Sequence, residues 1–249
     1  MPVTKRPAPD RPNANPTMPS GATIDIPPYR LSGAVYGCLM NHPGSLAALG
    51  DVVFHAPYKA PPRAPVLYIK PRNTFIADGA APRVRADGGG VEVGATLGIV
   101  IGRSACRINE NAALDVVAGY TVVADFCLAQ LNGYYRPSVR LRARDASLAM
   151  APGVVARDAI ANPDALSITV QIDGQVVQAC STAGMQRPVA RLLADVTEFM
   201  TLQAGDILLL GLCPGAPLLH QGQCLSVEIE GVGRLDLPPA LAESKGTAS

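Results

Sequence analysis

Basic side chains that could bind anions lie at two places in the chain, at residues 136–144 and at Lys70. Arg136 precedes a segment in which Arg140, Arg142 and Arg144 alternate with apolar residues. Alternation with a period of two predicts a β-strand with these three arginines on one face. Guanidinium groups form paired hydrogen bonds with carboxylates, so this face, together with Lys70, could hold an anionic ligand. For Arg140 and Arg144, a solvated strand face is an equally good explanation.

A carboxylate ends one of two predicted buried strands. Residues 95–101 form an apolar, β-branched run, and residues 120–124 form a second run that ends on Asp125. Between them, Asn109 could cap one or two helical turns over 110–117. Two buried strands with a polar residue at the mouth of the second commonly build a concave site.

Three further polar residues follow predicted strands or lie in loops. His42 follows the predicted strand 34–39 and could shuttle protons close to neutral pH, although a lone histidine is more often structural. Tyr135 could position a substrate or pack on the surface. Asn73, after the predicted strand 66–69, is a further candidate for substrate binding.

Composition limits the classes of partner and site. The 249 residues carry 21 basic and 20 acidic side chains, a balance that predicts neither a nucleic-acid partner nor an anionic membrane surface. No apolar run approaches the roughly 20 residues that span a bilayer, and the N-terminus lacks a signal pattern, so a cytoplasmic location is expected. The six cysteines contain no C-x-x-C pair and are predicted to be buried thiols. They show no zinc-ligand spacing with the three histidines.

The remaining patterns predict one α+β domain that is mostly β. Residues 1–30 are rich in proline and are expected to form a flexible leader; residues 31–237 would form the domain, and 238–249 a loose tail. Further elements are predicted as a hairpin of strands 167–172 and 176–179 around Asp173-Gly174, an amphipathic helix over 188–200, and strands over 207–210 and 225–229.

Several of these motifs, taken together and in this order, resemble the fumarylacetoacetate hydrolase family. They are Asn41-His42, the segment YIKP at 68–71, the block 91–125, the hairpin and helix described above, and VEIEGVGRL at 227–235. The resemblance covers nearly all of residues 34–235. It implies a mixed β-sheet roll or barrel with a few short helices, usually assembled as a dimer.

The resemblance also implies a divalent metal, magnesium or a similar ion. In the family, a Glu-x-Glu pair on the first strand and an aspartate at the end of the second strand hold this ion. The aligned positions are Gly94, Thr96 and Asp125, so one of three ligands is retained. Asp125 alone would hold magnesium poorly, and Glu92, on the same strand face as Gly94, could compensate. At Leu212 the sequence again departs from the family, which has a threonine there.

Within the family, the stretches APYKAPPRAPVLYIKPRNT, VGATLGIVIGR and YYRP resemble the first half of bifunctional isomerase/decarboxylases of 4-hydroxyphenylacetate (homoprotocatechuate) degradation. The resemblance implies a small polycarboxylate substrate, 5-oxopent-3-ene-1,2,5-tricarboxylate, which is decarboxylated to a hydroxydienoate that is then isomerised. Arg142 aligns with a family lysine that contacts substrate. The catalytic candidates are therefore Arg142, His42 and Lys70, and the substrate-binding candidates are Tyr135, Arg136, Arg140 and Asn73.

Three functional hypotheses follow. The first is a decarboxylase/isomerase component that uses little or no metal. The second is a non-catalytic subunit that assembles with a metal-bearing paralogue, which would explain the replaced ligands. The third is a hydrolase or decarboxylase of another diketo acid. The assembly would be a homodimer or a heteromer with that paralogue.

Overall fold

The fold is built mainly from short strands, and the structure, a computed structural model, describes residues 33–56, 59–85, 87–129 and 139–243. The strands are β1 (Val35–Leu39), β2 (Val66–Lys70), β3 (Arg83–Val84), β4 (Val91–Ile101), β5 (Val117–Cys127), β6 (Leu148–Met150), β7 (Val155–Ala156), β8 (Ser167–Ile172), β9 (Gln175–Ser181), β10 (Ile207–Leu209), β11 (Leu218–Leu219), β12 (Leu225–Ile229), β13 (Gly233–Leu237) and β14 (Leu241–Ala242). The α-helices are α1 (Pro43–Ala47), α2 (Val139–Arg142) and α3 (Val189–Thr197), and 3₁₀ turns cover Gly50–Phe54, Arg72–Thr74, Glu110–Val116, Arg157–Ala159 and Pro163–Ala165.

The larger sheet is organised around the long hairpin of β4 and β5. Its strand order is β2-β1-β10-β4-β5-β6, with β11 also paired to β4 and β7 to β5. The β1–β10 pair is parallel and the other pairs are antiparallel, so the sheet is mixed. Nearly every residue of β4 and β5 is buried, as expected for continuous apolar runs covered on both faces.

The second sheet is antiparallel, with the order β13-β12-β8-β9. Asp173 and Gly174 connect β8 to β9 with φ angles of 51° and 77°. A type I′ hairpin turn needs positive φ at both central residues, which is why the Asp-Gly dipeptide predicts it. The hairpin prediction is confirmed.

Helix α3 packs its apolar face into the main core. Val189, Leu192, Leu193 and Val196 are fully buried, as the spacing of these residues predicts. Pro188 is the N-cap residue, and its fixed φ suits the start of a helix. The helix prediction is therefore confirmed, although the observed helix ends at Thr197, before the predicted end.

The predicted class, α+β and mostly β, is confirmed. Over the part of the chain that the structure describes, the sheets are open mixed sheets and none closes into a barrel. In the predicted C-terminal tail, β14 pairs in parallel with β3, and Glu243 N donates to the Val84 carbonyl, so these residues are held by a sheet. None of the helices described is long and apolar enough to cross a membrane.

The predicted arginine strand is wrong. Residues 139–142 form the single helical turn α2, so the three arginines do not share a strand face. Hydrogen bonds from other segments to its backbone carbonyls hold this turn. Leu128 N donates to the Leu141 carbonyl, and the side-chain Nζ of Lys70 donates to the Arg142 carbonyl at 2.5 Å. These long-range contacts outweigh the local alternation of apolar and basic residues.

Candidate active site

The candidate site begins with the register of β4 and β5. Gly94 lies directly opposite Asp125 across the strand pair, and Thr96 lies two residues further along β4. Residues two apart on a strand point to the same face. The three positions that the family resemblance assigns to metal ligands are therefore neighbours on one face of the sheet.

Asp125 is a fully buried carboxylate with three protein partners. Lys70 Nζ lies 2.6 Å from Oδ1, as an ion-pair contact rather than a well-angled hydrogen bond. On the other oxygen, Tyr68 donates a hydrogen bond of 2.5 Å to Oδ2, and Arg142 Nη1 approaches Oδ2 to 3.2 Å. A buried charge needs such partners because desolvation of an isolated carboxylate is very costly. Asp125, Lys70, Tyr68 and Arg142 are called the Asp125 cluster below.

Lys70 reaches Asp125 from the last residue of β2. Its side chain is fully buried, and besides Asp125 it contacts the Arg142 carbonyl and Ser147 Oγ, the latter at 3.1 Å. Burial lowers the pKa of Lys70, and the Asp125 carboxylate opposes that effect. Lys70 was predicted to be catalytic. In the structure its ammonium group balances the charge of Asp125 and donates to the carbonyl at the end of α2.

Arg142 is the member of the cluster that reaches solvent. Its side chain is 15% exposed, against 0% for Lys70 and Asp125. Its guanidinium also lies over the ring of Tyr68, 4.7 Å from the centroid, in a cation–π contact. Burial opposes its charge, but Tyr68 and Asp125 hold the pKa of Arg142 above its usual value. Arg142 is therefore charged and is the cluster residue available to a ligand.

Tyr68 is a site residue that sequence reasoning did not identify as one. Its pKa is raised by burial and by the Asp125 charge, so it is a neutral hydrogen-bond donor. Gly37 of β1 is the cross-strand partner of Tyr68, and the Tyr68 ring passes over it. A Cβ added to Gly37 would lie 2.0 Å from Tyr68 Cζ. Glycine inside a predicted strand signals close approach of another group, and that signal was present at position 37.

The residues around Asp125 do not fit a divalent metal ion. Within the described residues, no group of three or more His, Cys, Asp or Glu side chains is placed to hold a metal. A Cβ added to Gly94 would lie 2.9 Å from Leu212 Cδ2, so Leu212 fills the space that a side chain at this position would need. Thr96 Oγ1 donates to the Gly211 carbonyl at 2.7 Å. Glu92 is half-buried on this face, but no third carboxylate from the described part of the chain joins it and Asp125.

Residues 211–215, called the 211–215 loop below, cover this face of β4. Cys213 is bonded to Cys180 of β9, with the two Cα atoms 6.4 Å apart, and Gln178 Nε2 donates to the carbonyls of Pro214 and Gly215. The loop is thus fixed to β9 at two points and to Thr96 at a third.

The prediction of six buried thiols is wrong. Cys180 and Cys213 form a disulfide, Cys106 and Cys224 are exposed, and Cys38 and Cys127 are buried. Spacing could not reveal the bond, because it joins residues 33 positions apart that the packing of the loop on β9 brings together. Burial raises the pKa of both Cys38 and Cys127 to about 11, so these two thiols are neutral.

Among the described residues, the other predicted site residues make no hydrogen bond or ion pair with Asp125, and two lie outside the described residues. His42 is the N-cap residue of α1, where its Nδ1 accepts from Gly44 N at 3.0 Å; the neutral ring then carries its proton on Nε2. Asn73 Nδ2 donates to the Ala143 carbonyl and to Asp145, and so holds the segment after α2. Arg140 is exposed on α2. Tyr135 and Arg136 fall outside the described residues.

Residues 34–238 match the sequence profile described as fumarylacetoacetate (FAA) hydrolase C-terminal. The chain belongs to the fumarylacetoacetate hydrolase family. One relative in this family is the 4-hydroxyphenylacetate degradation bifunctional isomerase/decarboxylase of Escherichia coli, which is 34% identical over 208 residues. That match covers 84% of this chain and 47% of the relative, so the chain spans about half the length of this relative.

Solved structures of similar fold support the architecture. The 5-carboxymethyl-2-hydroxymuconate delta-isomerase from Mycobacterium smegmatis superimposes with a TM-score of 0.70 at 24% identity, over 86% of this chain and 78% of that chain. The fumarylpyruvate hydrolase from Pseudomonas aeruginosa, in complex with Mn²⁺ and pyruvate, gives 0.69 at 22% identity, over 84% and 89%. At these identities the likeness establishes the fold alone. The family fold is therefore present here.

Proposed function

We propose that this chain is a component of a decarboxylase/isomerase of homoprotocatechuate (4-hydroxyphenylacetate) catabolism. Its substrates would be 5-oxopent-3-ene-1,2,5-tricarboxylate and the hydroxydienoate that decarboxylation yields. The name and the 34% identity of the Escherichia coli relative support this choice of pathway. Because the chain covers 47% of that relative, turnover by this chain alone is part of the proposal and is what the test below measures.

The observation that carries the proposal is a partly exposed guanidinium, that of Arg142, held against the buried Asp125 carboxylate. Two cations, Lys70 and Arg142, contact one buried carboxylate, and Tyr68 adds no charge. Arg142 has five N–H donors, and one nitrogen is committed to Asp125. A substrate carboxylate that binds the exposed part of Arg142 would use its free donors.

The cluster could also assist the chemistry without a metal ion. Decarboxylation next to a keto group leaves an electron pair that becomes an enolate, and tautomerisation passes through the same kind of anion. A fixed guanidinium beside the developing oxyanion stabilises it because the cation is already oriented before the reaction. In this proposal Arg142 contacts the substrate, while Lys70 and Tyr68 position Arg142 through Asp125.

The test is carbon dioxide release from the tricarboxylate, together with the ultraviolet change of the dienoate, for the purified chain with magnesium and with chelator. We expect activity that chelator does not abolish and that Arg142→Ala reduces at least about 100-fold, the usual scale for loss of one oxyanion donor. Arg103→Ala, which removes an exposed arginine that is not among the site candidates, is the matched control and should keep activity. Equal turnover by the Arg142→Ala and Arg103→Ala variants would contradict the proposal.

A second candidate function is favoured by the filled metal position at Gly94. In that case the chain is a non-catalytic subunit that assembles with a metal-bearing paralogue. Co-expression of the two chains followed by native mass spectrometry would test this: a heteromer whose turnover exceeds that of either chain supports it. Full turnover by this chain alone in chelator would contradict the subunit function and support the first.

A further inference from the structure

The 211–215 loop lies in an interruption of the strand ladder along one edge of β4. Leu210 N donates to the Leu97 carbonyl at the end of β10, and Val93 N donates to the Pro217 carbonyl just before β11. Both β10 and β11 pair with β4, so the chain follows β4 before and after the loop. The loop itself is held on β4 by other contacts.

Glycines with positive φ lie at both ends of this loop. The φ angle is 149° at Gly211 and 72° at Gly215, values that residues with a Cβ rarely adopt. Small residues in loops often serve as hinges because they absorb changes of φ and ψ without a steric clash. These two positions let the loop move while β10 and β11 remain paired to β4.

The loop covers the face of the sheet that carries the Asp125 cluster. Leu212 Cδ2 would lie 2.9 Å from a Cβ added to Gly94, the residue that pairs with Asp125. Leu212 also packs against the apolar group that contains Tyr68. Movement of the loop would therefore uncover Gly94 and loosen the packing around Tyr68.

A disulfide attaches the loop to the second sheet. Cys213 is bonded to Cys180 of β9, and the polar anchors of the loop are the hydrogen bonds of Thr96 and Gln178. Cys213 is buried, whereas Cys180 is partly exposed. Cys180 is therefore the sulfur that a thiolate from solvent can attack, because exchange requires access to the disulfide.

We propose that Cys180 and Cys213 form a thiol–disulfide exchange site that controls whether the 211–215 loop covers the Asp125 cluster. The reductant is a dithiol. Its thiolate attacks Cys180 Sγ, the bond to Cys213 breaks, and Cys213 leaves as a thiolate that takes up a proton. The second thiol of the reductant gives up its proton and attacks the mixed disulfide. This step releases Cys180 as a thiol and leaves the reductant as a disulfide, oxidised by two electrons.

Reduction leaves the loop held only by hydrogen bonds and apolar packing, so it opens at its glycine ends. The opened state exposes the face beside Asp125, and reoxidation of the two thiols closes it again. The proposal concerns access to this face and holds whichever substrate the site takes.

Hydrogen–deuterium exchange of the oxidised chain and of the chain in dithiothreitol tests the proposal. Gly211 N, which donates to Thr96 Oγ1, and Val93 N, which donates to the Pro217 carbonyl, report opening at the two ends of the loop. Their exchange should accelerate on reduction by roughly tenfold more than that of residues 207–209 in β10, because local opening adds to any change in global stability.

Two variants complete the experiment, and circular dichroism confirms that each is folded. Cys180→Ser cannot form the bond and should exchange like the reduced wild type whether or not dithiothreitol is present. Cys224→Ser removes an exposed thiol outside the bond, so it is the matched control and should respond to dithiothreitol as the wild type does.

Three results would overturn the proposal. The first is equal exchange at Gly211 in the oxidised and reduced wild type, a comparison that needs no variant. The second is an equal rise over the loop and β10, which would show that the disulfide acts only on the stability of the whole fold. The third is a chain that does not re-form the bond in oxidised glutathione after the reductant is removed.

Discussion

The hydroxyl of Tyr68 lies 2.5 Å from Asp125 Oδ2, and the ring reaches that position because residue 37 has no side chain. The two residues are 57 positions apart in sequence, and β1, β10 and β4 lie between β2 and β5, the strands that carry them. The orientation of the buried carboxylate therefore depends on a glycine that makes no polar contact with it.

Replacing Gly37 with alanine should displace Tyr68 from Asp125. The added methyl group would lie 2.0 Å from Tyr68 Cζ, so the ring must move and the hydrogen bond is lost. Overpacking of this kind typically costs about 1–3 kcal/mol. Urea unfolding measures the change. Gly153→Ala is the control, because nothing lies within 4 Å of its added Cβ, and a loss of stability as large for Gly153→Ala would show that the ring is not the cause.

Removal of the Tyr120 hydroxyl should change how stability depends on pH in the alkaline range. Burial raises the pKa of Tyr120 from 10.0 to about 12, so the stability that depends on its neutral form is fully present below pH 10 and is lost as pH rises through 12. The free energy of unfolding of Tyr120→Phe should therefore fall less steeply over this range than that of the wild type. If the urea midpoints of the two proteins changed equally with pH between pH 9 and 12, the raised pKa of Tyr120 would be contradicted.

The presence of the disulfide can be tested by counting free thiols. With Cys180 and Cys213 paired, thiol titration of the denatured, unreduced chain should give four free thiols, and six after reduction. Reduction should lower the free energy of unfolding by about 2–4 kcal/mol, because it releases a cross-link between distant residues. Six thiols before reduction would show that the bond is not formed in the preparation used. The Cys180→Ser variant should show the same loss of stability without a reductant.

Substitutions of His42 should separate its capping role from proton transfer. His42→Asn retains a side-chain acceptor for Gly44 N, whereas His42→Ala removes it and should cost about 1 kcal/mol, the usual effect of a lost N-cap. If His42 only caps α1, the asparagine variant keeps both stability and turnover. If His42 is also the predicted proton shuttle, the asparagine variant keeps its unfolding midpoint but loses turnover.

Low pH should weaken the same cap. Burial lowers the pKa of His42, so the unfolded chain takes up a proton before the folded chain does, and stability is lost as pH falls below about 6.5. Protonation also removes the Nδ1 lone pair that accepts from Gly44 N. The difference in unfolding midpoint between wild type and His42→Asn should therefore shift in favour of the variant in acid. A difference that does not vary between neutral pH and pH 5.5 would contradict this account.

The sequence by itself determined most of the elements and the place of Asp125. Apolar, β-branched runs predicted β4 and β5, the Asp-Gly dipeptide predicted the β8–β9 hairpin, and apolar spacing predicted α3. These features are local, because a strand, a turn or an amphipathic face is encoded by residues that are close together in the chain. The family motifs added Gly94 and Thr96 as the partners of Asp125, and the register confirms that these positions are neighbours.

Only the tertiary structure decided what surrounds that carboxylate. Tyr68, Leu212 and the Cys180–Cys213 pair come from segments far apart in sequence, and no spacing rule connects them to Asp125. The arginine segment shows the same limit: its alternation favours a strand, but hydrogen bonds from Lys70 and Leu128 hold it as a helical turn with Arg142 over Asp125. Where long-range contacts satisfy buried polar groups, they decide the local structure, because an unpaired buried charge costs more than a disfavoured backbone conformation.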